Sequence, residues 1–264
     1  MTAAEPGPPA GTSQPASAAE RLRAMHFGSQ PLILPNAWDP VSARAYAEEG
    51  FAALASSSSA VAATLGYADG QTPAEEMLTA VARIASSVYI PVTADIENGY
   101  GLAPAALADR LLAAGIVGCN LEDSDPVTRT LIEPEQQADY LAAVRAAAGP
   151  ELVINARVDV FVRPGPADQP AAIDAALQRA AIYLAAGADC SYPILAPASA
   201  LPALVRGIGG PVNAMYRPGG PSLAELAAFG IARISFGGGL HARAAENLRE
   251  MARDLATESN ALVS

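Results

Sequence analysis

Two short acidic segments carry the residue types from which chemistry could be built. The first is Ala94-Asp95-Ile96-Glu97-Asn98-Gly99-Tyr100-Gly101, which follows an apolar run from Val88 to Thr93. That run reads as a buried strand, so Asp95 and Glu97 stand where a strand gives way to a Gly-rich turn. Residues i and i+2 of a strand project from one face. Two carboxylates on one face can share a hard divalent cation such as Mg²⁺. The second segment, Cys119-Asn120-Leu121-Glu122-Asp123, closes the next apolar run after one helical stretch. Solvated turn carboxylates are the plainer reading, but both clusters fall at corresponding points of successive strand–helix units.

Other strand ends supply complementary groups. One ends in Ser56-Ser57-Ser58-Ser59, and the loop beyond it carries Leu65-Gly66-Tyr67-Ala68-Asp69-Gly70. Another ends in Asn155-Ala156-Arg157-Val158-Asp159; later ones offer Asn213, then Ser235 and Gly237-Gly238-Gly239. Asp69, Asp95, Glu97 and Glu122 could surround one Mg²⁺, some directly and some through retained waters. Arg157 could pair with a substrate carboxylate or a developing oxyanion, or serve as a structural partner of Asp159 or Glu122. Ser57, Ser58 and Ser59 offer hydroxyls and N–H groups to a second carboxylate, or form a flexible loop. Asp69 could equally close an Asx turn beside Gly70. The glycine triplet suits a hinge or an anion cradle, and His241 reads as a surface residue at a helix start.

The elements that must position these groups alternate along the chain. Strand-like runs are Leu32–Trp38, Phe51–Ser56, Val88–Asp95, Ile116–Leu121, Leu152–Ala156, Ala188–Tyr192, Val212–Met215 and Ile231–Ser235. Helical patterns fall over Pro40–Glu49, Pro73–Ser87, Pro104–Ala114, Pro134–Ala148, Ala171–Ala186 and Leu240–Ala256. Several helices open on Pro and close on Gly, as expected of helix termini. Eight such units predict a single-domain (β/α)₈ barrel of the TIM type over residues 20–264, with function at the C-terminal ends of the strands. A doubly wound sheet would want a dinucleotide fingerprint after the first strand, and Pro35-Asn36-Ala37-Trp38 is not one. Residues 1–19, rich in Ala, Pro, Gly, Ser and Thr, read as a disordered tail.

Composition excludes whole mechanisms. All 16 basic residues are arginines. Lysine Schiff bases and pyridoxal phosphate chemistry are therefore impossible. With only His26 and His241, a His-rich zinc or iron site is not expected. Cys119 and Cys190 lie in apolar runs and read as buried structural thiols. A net charge of -11 argues against a nucleic-acid partner. No apolar run is long enough for a membrane span and no signal-type N-terminus is present, so a soluble cytoplasmic protein is expected.

Taken jointly, several of these segments resemble the isocitrate lyase/phosphoenolpyruvate mutase superfamily. They are Pro35-Asn36-Ala37-Trp38-Asp39-Pro40-Val41-Ser42-Ala43-Arg44, Ser57-Ser58-Ser59, Leu65–Asp69, Ala94–Gly101, Asn120–Asp123 and Asn155–Asp159. The resemblance runs from about Leu32 to Arg243. It implies Mg²⁺ (or Mn²⁺) chemistry on a small carboxylate substrate, a 2-oxo or 2-hydroxy acid, through an enolate-like state. By position it makes Asp95 the direct metal ligand, with Glu97, Glu122 and Asp69 on metal-bound waters. Arg157 would meet the substrate anion, Ser57 and the N–H groups of Ser58 and Ser59 would hold a carboxylate, and Asn213 would join them. The loop Ser124–Glu133 has no Cys, Lys or His, unlike the named lyases, which places the chain nearer a phosphonomutase-like branch; Arg129 is the loop residue expected to close over substrate. The first expectation for function is a C–C lyase resembling methylisocitrate lyase or oxaloacetate decarboxylase. P–C chemistry of the phosphoenolpyruvate mutase or phosphonopyruvate hydrolase type is the alternative, and a barrel that only binds a keto acid is a third. The resemblance also implies a homotetramer that exchanges its last helix.

Overall fold

The computed structural model of the chain describes residues 16–163 and 168–262. The expected tail falls almost wholly in residues 1–15, outside the described residues; Ser17 already caps the first helix through a reciprocal pair with Glu20. The strands are β1 (Leu32–Leu34), β2 (Asn36–Ala37), β3 (Leu54–Ser56), β4 (Val92–Asp95), β5 (Gly118–Glu122), β6 (Val153–Val158), β7 (Cys190–Pro193), β8 (Asn213–Met215) and β9 (Arg233–Ser235). The helices are α1 (Ala18–Met25), α2 (Pro40–Glu48), α3 (Ser58–Leu65), α4 (Ala74–Ser86), α5 (Pro104–Ala113), α6 (Pro134–Ala148), α7 (Gln169–Ala185), α8 (Leu201–Gly207), α9 (Leu223–Ala228) and α10 (Gly239–Ala261).

All the strand pairs are parallel. One sheet runs β2-β3-β4-β5-β6-β7, and a second runs β1-β9-β8. Pro35 separates β1 from β2, because a residue without an N–H interrupts the ladder. The chain passes there from one sheet to the other. A parallel bridge between Ser191 and Val212 links them again at β7 and β8.

Parallel strands covered on both faces should be apolar throughout, and alternate residues here enter separate clusters. Ala53, Ala55, Leu32, Leu34 and Val153 pack with Leu22 of α1. Their neighbours Leu54 and Ile154 pack outward with Met77, Val81, Leu107 and Leu111 from α4 and α5. Helix starts follow local chemistry: Asp39 accepts from Ser42 to cap α2, and Pro40, Pro104 and Pro134 stand in first turns, where no N–H is required. Helices α3, α8 and α9 are additions to the elements expected from periodicity. The first was legible: Ser57 caps its start and Gly66, at φ 88°, its end. No helix among the described residues is long and apolar enough to cross a membrane. Both cysteines are free and fully buried, and burial pushes each thiol up to about 12.

Candidate active site

The C-terminal ends of the strands surround a cavity of about 670 Å³. Its walls bring together most of the residues singled out from sequence: Ser57, Ser58, Ser59, Asp69, Asp95, Glu97, Glu122, Arg129 and Arg157. They arrive from four strand ends and two loops, so only the tertiary fold makes them neighbours.

Asp95 is the last residue of β4, and neutral donors hold it. Its Oδ2 accepts from the Ser58 N–H at 3.1 Å and the Ser58 hydroxyl at 2.8 Å. Its Oδ1 faces the Asn120 amide at 3.5 Å. The serine run is thus a strand end followed by the first turn of α3, whose positive end faces a carboxylate. Ser58 is engaged with Asp95, while the Ser57 and Ser59 hydroxyls meet each other at 3.1 Å. A methyl added at Gly238 would stand 2.9 Å from Ser59 Oγ and 3.9 Å from Ser57 Oγ. The glycine triplet therefore lets the backbone approach these hydroxyls closely.

Glu97 reaches the cavity by a different route from the one expected. The strand ends at Asp95, so period-two alternation does not align the pair. Instead Glu97 takes φ 52°, a left-handed conformation that costs a side-chain-bearing residue energy. It is buried, accepts from the Tyr100 hydroxyl at 3.3 Å, and its backbone oxygen accepts from the Glu122 N–H at 2.9 Å. Burial, with Asp95 and Asp69 nearby, pushes its carboxyl up to about 7. Asp69 is an exposed turn residue beside Gly70 that nonetheless lines the cavity.

Two further carboxylates have cationic partners. Glu122, at the end of β5, pairs with Arg157 Nη1 at 2.5 Å. Burial raises its pKa, and the Arg157 charge opposes that rise. Arg157 also donates from Nε at 2.6 Å and Nη2 at 3.0 Å to the fully buried Asp159. Arg157 is therefore both a structural partner of two carboxylates and a wall of the cavity. Asp159 accepts from the Ser124 hydroxyl at 2.5 Å, and that oxygen accepts from Arg163 Nε at 2.9 Å. Asp123, fully buried, ties the backbone of Asp159 to Arg179 and Tyr183.

Asn213 does not line the cavity. It is fully buried and bonds Ser235, which does line it, at 3.3 Å. Arg129 stands on the rim with φ 57°. Sequence reading missed Arg163, Tyr100 and Tyr192; of these, Arg163 and Tyr192 line the cavity. Arg163 had a signal, since it lies just past the Arg157–Asp159 strand end.

Among the described residues no group of three or more His, Cys, Asp or Glu side chains is disposed to hold a metal ion. A small, strongly hydrated cation does not need one, since Mg²⁺ binds through one or two carboxylates and keeps several waters. The donor set suits such an ion: Asp95, Glu97 and Asp69 all line the cavity, Asp95 and Glu97 are held by neutral hydrogen-bond donors, and burial, followed by repulsion from Asp95 and Asp69, raises Glu97.

A family model described as phosphoenolpyruvate phosphomutase matches residues 22–256. The uncharacterized protein Rv1998c of Mycobacterium tuberculosis (strain ATCC 25618 / H37Rv) is 36% identical over 214 residues, 81% of this chain and 80% of that one. The protein named probable 2-methylisocitrate lyase 1 of Corynebacterium glutamicum is 35% identical over 173 residues, 60% of this chain; the chain spans 53% of that relative's length. A crystal structure from Burkholderia cenocepacia J2315, of a protein provisionally named a phosphonomutase, is 40% identical with a TM-score of 0.83, covering 89% of this chain and 99% of that one.

Proposed function

We propose that this chain, which belongs to the phosphoenolpyruvate phosphomutase family of the isocitrate lyase/phosphoenolpyruvate mutase superfamily, rearranges or hydrolyses the P–C bond of a small phosphono-2-oxo acid. Phosphonopyruvate is the simplest such substrate. The observation that carries this reading is the chemistry of the cavity wall. Three arginines and four carboxylates line one cavity, and among the described lining residues there is no His, Cys or Lys. Phosphoryl migration from carbon to oxygen needs no net proton transfer, and in hydrolysis the water that attacks phosphorus supplies the proton the enolate carbon takes up, so neither requires the thiol acid of the named lyases.

The residues divide the work. Ser57 and Ser59 offer hydroxyls to the carboxylate of the substrate. Arg157, held by Asp159 and Glu122, presents a fixed positive edge to the oxyanion that develops as the bond breaks. Arg129 and Arg163 meet the phosphoryl group. Asp95, with Glu97, Glu122 and Asp69 on its water ligands, would hold Mg²⁺ or Mn²⁺, which would supply positive charge to the enolate oxygen. The two sheets, bridged at Ser191–Val212 and linked by the chain at Pro35, support a single (β/α)₈ barrel over residues 20–264 as the scaffold. Helix α10 buries none of its own residues and exposes Leu248, Met251 and Leu255. That face supports a homotetramer assembled through α10.

Phosphorus NMR with phosphonopyruvate and Mg²⁺ tests the reading. A new phosphate ester or inorganic phosphate resonance is expected, and a spectrum unchanged over hours refutes it. One observation favours a second reading, C–C cleavage of a 2-hydroxy di- or tricarboxylate. Glu97, raised to about 7, could act as the proton donor that such cleavage requires. Turnover of methylisocitrate or oxaloacetate with an inert phosphonate would establish it.

A further inference from the structure

Arg233 is the largest fully buried side chain among the described residues, and it forms no ion pair there. A guanidinium cannot shed its charge, and a buried charge without a carboxylate partner is destabilising. Its only hydrogen bond is from Nη2 to Asn120 Oδ1 at 3.2 Å; Nε and Nη1 have none. The same Asn120 oxygen accepts from Asn155 Nδ2 at 2.8 Å. Two donors on Oδ1 fix which way the Asn120 amide turns. Its Nδ2 then faces Asp95 Oδ1, at 3.5 Å. The other Asp95 oxygen is held by Ser58.

We infer that Arg233 is a positioning residue: acting through Asn120, it orients the Asp95 carboxylate for divalent-cation binding from beneath the cavity floor. It touches neither the cavity nor any substrate. Register explains the connection. Arg233 lies level with Leu32 and Asn213, while Asn120 lies level with Asp95 and Asn155. An arginine is long enough to cross from β9 to β5, where an apolar residue would leave the amide oxygen held by Asn155 alone. This inference rests on the reading of Asp95 as a Mg²⁺ ligand.

The test measures Mg²⁺ binding by calorimetry on the full chain, with melting of the metal-free protein alongside. Arg233→Met and Asn120→Ala should each weaken Mg²⁺ binding by about tenfold or more, the usual cost of losing the partner of a ligating group. The double variant should be no weaker than the poorer single one, because both act on one path. Arg233→Lys, which keeps charge and a donor, should recover part of the affinity. If Arg233→Met fails to fold, Asn120→Ala and Arg233→Lys carry the test. Lowered melting temperatures with an unchanged Mg²⁺ affinity would make Arg233 a structural residue and overturn the inference. A native chain that binds no Mg²⁺ would overturn the metal reading as well.

Discussion

His26 gives the sharpest quantitative expectation. It closes α1, is 4% exposed, and stands within the field of Arg233. Its Nδ1 lies 2.8 Å from the Leu22 carbonyl, so that nitrogen carries a proton. Burial first, and then the Arg233 charge, lower its pKa from 6.5 to about 4. The unfolded chain therefore binds a proton at a pH where the folded chain does not. The stability this neutral ring supplies is complete above pH 6.5 and declines as pH falls towards 4, where the folded ring protonates too. Each pH unit in that window costs about 1.4 kcal/mol once the unfolded side chain is charged. Integration gives a loss of about 2 kcal/mol at pH 5 and about 3 kcal/mol at the low-pH limit. His26→Asn places an amide donor near the Nδ1 position without a titrating ring. Urea unfolding of both proteins at pH 7.5 and pH 5 isolates the effect, because every other titrating group is common to the two. The native chain should lose about 2 kcal/mol more than the variant over that interval. An equal loss in both would refute a neutral buried His26.

Other expectations address the site and the assembly. Asp95→Asn should lower Mg²⁺-dependent turnover by about a hundredfold or more, as seen in steady-state rates. Gly238→Ala drives a methyl against Ser59 Oγ, and should raise KM for the oxo acid with little change in melting temperature. Leu248→Glu combined with Leu255→Glu should convert a tetramer to smaller species in light scattering, leaving the far-UV spectrum intact. Arg163→Gln should weaken binding of phosphonopyruvate more than binding of oxalate, a planar dianion that has no phosphoryl group.

The alternation of strands and helices was legible because parallel strands buried on both faces are nearly continuous apolar runs, and because Pro and Gly mark helix ends. Short helices were not: α8 and α9 have 7 and 6 residues, too few for a period to show. At the site, residue identity was readable but its geometry was not. Asp95 and Glu97 looked paired by strand alternation, yet a left-handed turn at Glu97 makes the pairing, and nothing in a Glu codes for φ 52°. Arg157 was ambiguous between structure and substrate, and the structure shows it paired with Glu122 and Asp159 while also lining the cavity. Arg233 could not be found at all from sequence, since a lone arginine in Ala232-Arg233-Ile234 reads as an exposed strand residue until its register across the sheets is known.

The layout of charge in the cavity indicates how a ligand would lie. Arg157 is committed to Glu122 and Asp159, and Arg163 reaches the same network through Ser124. Those carboxylates are therefore offset. Asp95 and Glu97 form no ion pair among the described residues: their hydrogen-bond partners are Ser58, Asn120 and Tyr100, which are neutral donors, and the Arg157 charge reaches Glu97 without a direct bond. The cavity wall thus carries Asp95 and Glu97, carboxylates outside any ion pair, together with Arg129, Arg157 and Arg163. A simple anion would be drawn to the arginines and repelled by Asp95, and a free cation would be drawn the other way. A 2-oxo acid with a cation beside its oxo group would engage both sets of groups at once. Its carboxylate would lie towards Ser57 and Ser59, and its departing phosphoryl group towards Arg129 and Arg163. This polarity argues for a substrate with two anionic ends separated by a carbonyl, and against a neutral ligand of the same size.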